Sequence, residues 1–223
     1  QRLDDTGIQP SDIQSLDDIQ KLPFSTADDL RQGYPFPLLS VPTAEVGRIH
    51  ASSGTTGKRK ILCYSQKDIN DWTHFFARCY EMAGLTTEDR VQIAVGYGVW
   101  TAGASFQLGC ERFGAMALPV GPGNVDMQCQ FLVDLQSTVM CCTASMGLLM
   151  AEEIHRRNLK EKIALKKMIF GSERSSDAMR RRIEELEGYP PGIGRERELQ
   201  KLRKFQELGH QAIFLIGDYT ATI

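Results

Sequence analysis

Several features that would narrow the function at once are absent from this sequence of 223 residues. No apolar run approaches the roughly 18 residues that a membrane-spanning helix needs, and no signal peptide is visible. The net charge is −2, so the chain carries no large positive field of the kind that nucleic-acid binders use. We therefore expect no membrane partner and no nucleic-acid partner, and composition leaves a homo-oligomer open.

Metal-ligand spacing is also absent. No two of the six cysteines form a C-x-x-C pair, and the adjacent Cys141 and Cys142 would point to opposite faces of a strand. We predict buried, reduced thiols, with zinc binding as the minor alternative, and this cysteine usage fits a cytoplasmic protein. The histidines form no Ser-His-Asp arrangement, and no residue is assigned to a metal. The cysteines are Cys63, Cys79, Cys110, Cys129, Cys141 and Cys142.

The region from residue 46 onward has a regular alternation of strand and helix patterns. Strands over 46–52 and 60–65 predict a hairpin, and apolar spacing predicts a helix over 66–84. The repeated order of apolar strand and helix then predicts an α/β fold with a mostly parallel sheet flanked by helices. The further predicted strands are 91–96, 115–121, 137–145 and 164–172, and the predicted helices are 101–114, 125–136, 146–158 and 177–188.

The first 45 residues have little periodicity. Ser11 and Ser15 are each followed by acidic residues, which predicts two helix starts. The stretch YPFPLLSVP, residues 34–42, contains three prolines and is predicted to be extended.

The run HASSGTTGKRK, residues 50–60, combines glycines, hydroxyl side chains and a lysine. Glycines let backbone N–H groups converge on an anion, hydroxyls add donors and the lysine offsets charge. The run departs from the G-x-x-x-x-G-K-[ST] phosphate loop, since Arg59 stands where Ser or Thr should follow the lysine. Composition alone leaves both a phosphate cradle and an ordinary hairpin loop open. His50, directly before the run, is open between a phosphate contact and a backbone-bonded strand residue.

Together with GYGVWTAG and FGSE further along, this run resembles phenylacetate–coenzyme A ligases of the adenylate-forming superfamily. The likeness covers about residues 1–188 and includes LDDIQKLPFSTADDLRQGYPF, ERFGAMALPVGPGN and VMCCTAS. It implies the amino-terminal part of an adenylate-forming ligase large domain. It also implies an aryl-acetate carboxylate that attacks the α-phosphate of ATP with Mg²⁺ help, after which coenzyme A displaces AMP.

The resemblance assigns residues to both halves of this chemistry. In the family, the Ser/Thr/Gly loop holds the ATP phosphates. Many relatives have Pro where Arg59 stands, so Arg59 is either a second cation near the phosphates or a solvated hairpin residue. GYGVWTAGASFQ helps to form the aryl pocket in the family, which usually has Phe where Trp100 stands; core packing is the alternative for these aromatics. Gly171, Ser172 and Glu173 resemble the family's Gly-Ala-Glu turn beside substrate and adenosine, and Ser172 as a helix cap is the alternative. The phosphate-binding candidates are Ser52, Ser53, Gly54, Thr55, Thr56, Gly57 and Lys58, and the substrate-binding candidates are Tyr97, Trp100, Phe106, Gly171, Ser172 and Glu173.

Three later motifs of the family do not occur in the sequence: Tyr-Gly-x-[ST]-Glu, Thr-Gly-Asp and the small carboxyl-terminal domain with its catalytic lysine. We therefore expect residues 1–188 to form a partial AMP-binding domain that is inactive in isolation. Residues 189–223 resemble a helix and strand of tyrosyl-tRNA synthetases without the His-x-Gly-His signature, so we treat them as an extra helix–strand tail. A noncatalytic ligand-binding module of the same fold, and a tRNA synthetase fragment, are the alternative functions.

Overall fold

The computed structural model describes residues 6–26, 28–36, 39–52, 58–171, 173 and 176–187. The chain divides into two compact units, with the boundary along the sequence between Gln66 and Lys67. The first unit contains short 3₁₀ helices and a hairpin, and the second contains a parallel sheet with helices. The predicted tail, residues 189–223, lies outside the described residues.

The first unit begins with two short 3₁₀ helices, Pro10–Asp12 and Leu16–Lys21. Ser15 starts the second helix as predicted, because the Asp18 carboxylate accepts from its backbone N–H at 2.8 Å and from its hydroxyl at 2.9 Å. Ser11 lies inside the first helix, so the prediction that it starts a helix is wrong. The residue before that helix is Gln9, whose N–H is bonded by the Asp12 carboxylate at 2.8 Å.

The second half of the first unit contains the predicted hairpin. A third 3₁₀ helix, Thr43–Glu45, precedes strand β1 (Val46–Ala51), which pairs antiparallel with β2 (Ile61–Ser65). The stretch 34–42 is not extended throughout, since residues 28–36 form turns and Tyr34 N–H donates to the Arg31 carbonyl at 3.3 Å. Residues 37–38 of that stretch lie outside the described residues.

The second unit confirms the predicted α/β fold. After helix α1 (Gln66–Met82), four strands form one parallel sheet in the order β4–β3–β5–β6. Successive strands are joined by helices, as parallel pairing requires. The strands are β3 (Arg90–Ile93), β4 (Met116–Leu118), β5 (Val139–Cys142) and β6 (Lys167–Phe170), and the helices are α2 (Thr101–Phe113), α3 (Val125–Asp134), α4 (Ala144–Arg156) and α5 (Asp177–Glu187).

Two apolar clusters cover opposite faces of this sheet. The first joins Tyr80 of α1 and Cys110 of α2 to one set of strand residues that includes Ile93. The second joins residues of α3 and α4, among them Leu132 and Met150, to the alternate strand residues. Burying each large apolar side chain stabilises the fold by about 1.5–3 kcal/mol. Helix α2 therefore lies on one face, and α3 and α4 lie on the other.

Two glycines allow the layers to approach closely. A Cβ on Gly109 of α2 would lie 2.5 Å from the Phe76 Cβ of α1, and a Cβ on Gly147 of α4 would lie 2.2 Å from the Phe170 ring of β6. Neither position accepts a side chain without movement of its neighbour. These glycines fix the spacing between α1 and α2 and between α4 and the sheet.

Element bounds differ from prediction mainly at the strand ends. Strand β3 ends at Ile93, so residues 94–96 belong to the following loop, and helix α4 begins at Ala144 because the Thr143 hydroxyl accepts from Met146 N–H at 3.3 Å. Among the described residues, every helix is too short or too polar to cross a membrane. Each strand of the parallel sheet is followed by a helix, so the strand-to-helix connections lie at the carboxyl ends of the strands. These connections form the candidate site.

Candidate functional site at the carboxyl edge of the sheet

The sheet order has a topological switch point between β3 and β5, the place where open α/β sheets form a ligand crevice. The chain moves from β3 to β4 in one direction, and then passes back over β3 to place β5 on its other side. Open α/β sheets bind ligands outside the carboxyl ends of the strands at such a switch point, where successive connections lie on opposite faces. The loops after β3 and β5 are therefore the centre of the candidate site.

The loop after β3 carries two of the predicted aryl-pocket residues. Trp100 precedes α2 and is 48% exposed, while the Tyr97 side chain packs against the first core cluster. The Tyr97 hydroxyl is buried and has no hydrogen-bond partner among the described residues, and burial, followed by the nearby Glu111, raises its pKa to about 12. Tyr97 thus remains a neutral phenol at physiological pH.

Phe106, the third aromatic candidate, lies one turn inside α2. Its ring packs edge-to-face on Phe76 at 5.6 Å and lies 6.3 Å from the Tyr80 ring. Its carbonyl accepts a hydrogen bond from the Tyr80 hydroxyl at 2.8 Å. These are the contacts of a core residue, and a contact between Phe106 and substrate stays a prediction.

The Glu173 carboxylate, which lies after β6, bonds the first turn of α4, which follows β5. Glu173 Oε2 accepts from the backbone N–H of Ser145 at 2.9 Å, and Oε1 accepts from the Ser145 hydroxyl at 2.8 Å. The negative charge thereby lies at the amino end of α4, where the helix dipole favours an anion. Ser172 lies outside the described residues, and α5 is instead capped by the Ser176 hydroxyl, which accepts from Met179 N–H at 3.1 Å.

Glycines line the carboxyl edge beside these loops. A Cβ added at Gly98, Gly121, Gly123 or Gly171 would meet no atom of the described residues within 4 Å. Gly121, Gly123 and the non-glycine Asn124 also have positive φ angles, of 81°, 74° and 43°. Three of the four residues in the turn after β4, residues 121–124, therefore have left-handed backbone conformations.

The predicted phosphate loop lies in the first unit, and only its two ends are described. Ser52 N–H donates to the Lys60 carbonyl at 3.0 Å, and Lys60 N–H donates to the Ser52 hydroxyl at 2.9 Å. Arg59 donates to the Ser52 carbonyl at 3.1 Å, so its guanidinium contacts the base of the hairpin. The Lys58 ammonium lies 5.1 Å from the Tyr34 ring centroid, which is a cation–π distance. The other candidates lie outside the described residues: Ser53, Gly54, Thr55, Thr56 and Gly57.

His50 packs within the same hairpin. Its side chain is 1% exposed, and its ring lies edge-to-face with Tyr64 at 5.3 Å. The burial and the ring contact are those of a packed hairpin residue.

The cysteines follow the prediction of free, mostly buried thiols. All six are free, and Cys110, Cys129, Cys141 and Cys142 are buried. Burial, followed by the Glu173 carboxylate, raises the pKa of Cys142 to about 12, so this thiol is protonated and unreactive at neutral pH. Across the described part of the chain, no group of three or more His, Cys, Asp or Glu side chains could hold a metal ion.

Comparison with known proteins decides the family resemblance. The chain is 39% identical over 189 residues to the phenylacetate-coenzyme A ligase of Pseudomonas putida, and 38% identical over 185 residues to that of Escherichia coli K12. The resemblance to phenylacetate–coenzyme A ligases is confirmed. These alignments take in 84% and 82% of this chain but 43% and 42% of the two enzymes, so the chain spans less than half the length of the curated relatives it matches. No family model matches the chain.

Solved structures confirm the fold that this resemblance implies. The chain superposes on 2-hydroxyisobutyryl-CoA ligase in an open conformation with 2-HIB-AMP and CoA, with a TM-score of 0.75, 24% identity, and coverage of 84% of this chain and 46% of that one. The same enzyme in its thioesterification state gives a TM-score of 0.75 at 26% identity, with coverage of 84% and 42%. The fold is that of the amino-terminal part of an adenylate-forming domain, shared with phenylacetate–coenzyme A ligases.

The resemblance to a tRNA synthetase is much shorter. A segment of 31 residues is 64% identical to the tyrosine–tRNA ligase of Cupriavidus pinatubonensis, which is 14% of this chain and 8% of that enzyme. A match of this length does not extend to the body of the synthetase. The likeness to phenylacetate–coenzyme A ligases covers six times as many residues.

Sequence reasoning missed two parts of this site. The predicted strand 137–145 ends at Ser145, although this residue lies in the first turn of α4 and bonds Glu173. Gln92 and Gln128, both fully buried, received no role. A polar side chain inside an otherwise apolar strand, as in RVQI, was the available signal for the second.

Proposed function

We propose that this chain takes part in the ATP-dependent activation of a phenylacetate-like acid to a coenzyme A thioester. The observation that carries the proposal is the 39% identity to a phenylacetate-coenzyme A ligase over 189 residues. The glycine-lined carboxyl edge at the switch point supports it, because open α/β sheets bind ligands at this edge and half-exposed Trp100 lies beside it. In the first step a carboxylate oxygen attacks the α-phosphorus of ATP and pyrophosphate leaves. In the second step the thiolate of coenzyme A attacks the acyl carbon and AMP leaves.

We assign the aryl acid to the loops after β3 and β6. Tyr97, Trp100 and Phe106 would supply aromatic contacts, and Gly171, Ser172 and Glu173 would lie beside the substrate and adenosine. Half-exposed Trp100 is the aromatic side chain best placed to lose solvent when a ring packs on it. Because Glu173 bonds Ser145, a ligand that contacts the Glu173 carboxylate would also lie beside the first turn of α4.

We assign the ATP phosphates to the loop from Ser52 to Lys58. Backbone N–H groups, hydroxyls and the lysine would stabilise charge that develops on phosphoryl oxygens. The described ends support this role, since Arg59 and Lys60, which follow the loop, bond Ser52 at its start and so hold its two ends together. Mg²⁺ and coenzyme A are implied by the family, but the described residues include no cluster suited to a metal ion, so no residue is assigned to Mg²⁺.

The remaining assignments follow from this function. We propose residues 1–188 as part of an AMP-binding domain and residues 189–223 as an added tail. A cytoplasmic location, small-molecule partners and the absence of nucleic-acid or membrane partners stay predictions, as does inactivity of the isolated chain. A homo-oligomer remains open.

Phenylacetate-dependent exchange of radiolabelled pyrophosphate into ATP tests the proposal, measured with this chain and with the complete gene product. We expect exchange from the complete product and binding of phenylacetate by this chain alone. Binding of the acid without exchange by either protein would contradict the ligase and favour a noncatalytic ligand-binding module. Tyrosine-dependent exchange would favour a tRNA synthetase instead.

A further inference from the structure

A series of buried side-chain hydrogen bonds leads through the sheet to its carboxyl edge. The Ser137 hydroxyl donates to Gln92 Oε1 at 2.8 Å, and Gln92 Nε2 donates to Gln128 Oε1 at 2.6 Å. Gln128 Nε2 then donates to the carbonyls of Gly121 at 2.8 Å and Gly123 at 3.3 Å. All three polar residues are 0% exposed. The series connects the residues before β5 to the turn after β4.

The order of donors and acceptors in this series is fixed. The two glycine carbonyls can only accept, so the Gln128 amide nitrogen faces them and its oxygen faces Gln92. Gln92 therefore presents its nitrogen to Gln128 and its oxygen to Ser137. Rotating any one amide would leave buried polar atoms unpaired, which is costly inside a protein. The network thus specifies a single arrangement.

The turn that this network holds has a backbone that needs support. Gly121, Gly123 and Asn124 all have positive φ angles, and Asn124 is not a glycine. The Gly121 N–H also donates to the carbonyl of Ile93, the last residue of β3, at 2.9 Å. The turn is thereby fixed beside the start of the loop that carries Tyr97 and Trp100.

We infer that Gln128 is a positioning residue of the crevice, because it holds residues 121–124 as the wall beside the loop after β3. The inference rests on the proposed function and adds a residue for which the family resemblance gave no role. Gln128 itself contacts no ligand, since it is fully buried. It acts through the turn, where a Cβ added at Gly121 or Gly123 would meet no described atom within 4 Å.

Gln128→Met and Gln92→Met form a matched pair that tests the inference in the full chain. Both variants remove one buried amide from the same network, but only Gln128→Met removes the bonds to the turn. We would measure hydrogen exchange at the Gly121 amide relative to the Ala94 amide, which bonds the Cys141 carbonyl at 2.8 Å and reports opening of the sheet. The dissociation constant for phenylacetate would be measured on the same samples by calorimetry.

We expect Gln128→Met to raise the exchange ratio about tenfold and to weaken phenylacetate binding at least fivefold. Gln92→Met should lower the unfolding midpoint similarly while changing each of the two readouts less than twofold. Equal behaviour of the two variants, or unchanged affinity in Gln128→Met, would overturn the inference.

Two further outcomes need separate treatment: a parent chain that binds no phenylacetate, and a Gln128→Met variant that does not fold. If the parent chain binds no phenylacetate, the proposed function fails, and the exchange ratio alone decides whether Gln128 holds the turn. If Gln128→Met does not fold, Gly121→Ala strains the turn directly at φ 81° without a steric contact within 4 Å. Weakened phenylacetate binding in Gly121→Ala would then support the inference, and unchanged binding would refute it.

Discussion

Replacing Glu173 with Gln tests whether the carboxylate between β6 and α4 stabilises the fold. The side chain accepts two hydrogen bonds from Ser145 at 2.9 and 2.8 Å, and its charge lies at the amino end of α4. Hydrogen bonds to charged groups contribute about 1.5–3 kcal/mol in favourable settings, and an anion at an exposed helix end contributes about 0.3–1 kcal/mol. Because both partners are partly open to solvent, we expect Glu173→Gln to lower the free energy of unfolding by about 1 kcal/mol.

Urea unfolding at neutral pH measures this loss, and a double-mutant cycle with Ser145→Ala assigns it. Ser145→Ala removes the hydroxyl bond and keeps the backbone N–H, so we expect a coupling free energy of about 0.5 kcal/mol. Glu152→Gln, which removes an exposed carboxylate from the same helix, is the control and should change stability little.

A coupling free energy near zero would show that the Glu173–Ser145 contact contributes no stability, and would refute the reasoning. The cycle also bears on the proposed contact with substrate. If Glu173 acts only by positioning the Ser145 turn, Ser145→Ala and Glu173→Gln should each weaken phenylacetate binding in proportion to the stability that they lose, since Ser145→Ala keeps the backbone N–H bond. A larger loss in Glu173→Gln would indicate direct contact with the ligand.

Three further predictions concern packing, titration and the pocket. Gly147→Ala should cost about 1–2 kcal/mol of stability in urea unfolding, because a clash with the Phe170 ring 2.2 Å away exceeds the gain in helix propensity; Phe170→Leu should restore part of the loss. Burial raises the pKa of the Cys142 thiol from 9.0 to about 12, so its contribution to stability is complete below pH 9 and is lost as the pH rises through the folded value. Between pH 9 and 10 the free energy of unfolding should therefore fall less steeply in Cys142→Ala, by about 1 kcal/mol per pH unit. An unchanged slope in urea unfolding would contradict this prediction. Trp100→Ala should weaken phenylacetate binding about tenfold, since an aromatic contact contributes about 0.5–1.5 kcal/mol; calorimetry with Trp72→Phe as control checks this, and equal affinities would contradict it.

The order of strands and helices could be predicted from the sequence because apolar periodicity reports which face of each element is buried. Strand β5, with four buried residues in a row, and amphipathic α4 both carry that signal strongly. The hairpin was predictable for the same reason, since strand patterns lie on both sides of one glycine-rich run. Element bounds were less predictable. The start of α4 depends on the Thr143 hydroxyl, which caps the helix, but the same residues are equally compatible with a strand that continues to residue 145.

The spatial order of the strands and the contacts across the site could not be predicted, because they depend on residues far apart in the sequence. The switch between β3 and β5 arises from tertiary packing, which local patterns do not record. Ser145 and Glu173 are 28 positions apart, and Gln92 and Gln128 are 36 apart. The resemblance to ligases supplied candidate residues but no geometry.

Mapping of phenylacetate binding by ¹H–¹⁵N correlation spectra tests whether the crevice at the carboxyl edge, between β3 and β5, binds an aryl acid. We expect titration to shift the amide signals of Gly121, Gly123 and Asn124 and of residues 96–100, 143–145, 171 and 173, and the Trp100 indole signal to move with them. Shifts confined to other surfaces, or no shift at millimolar phenylacetate, would contradict the account.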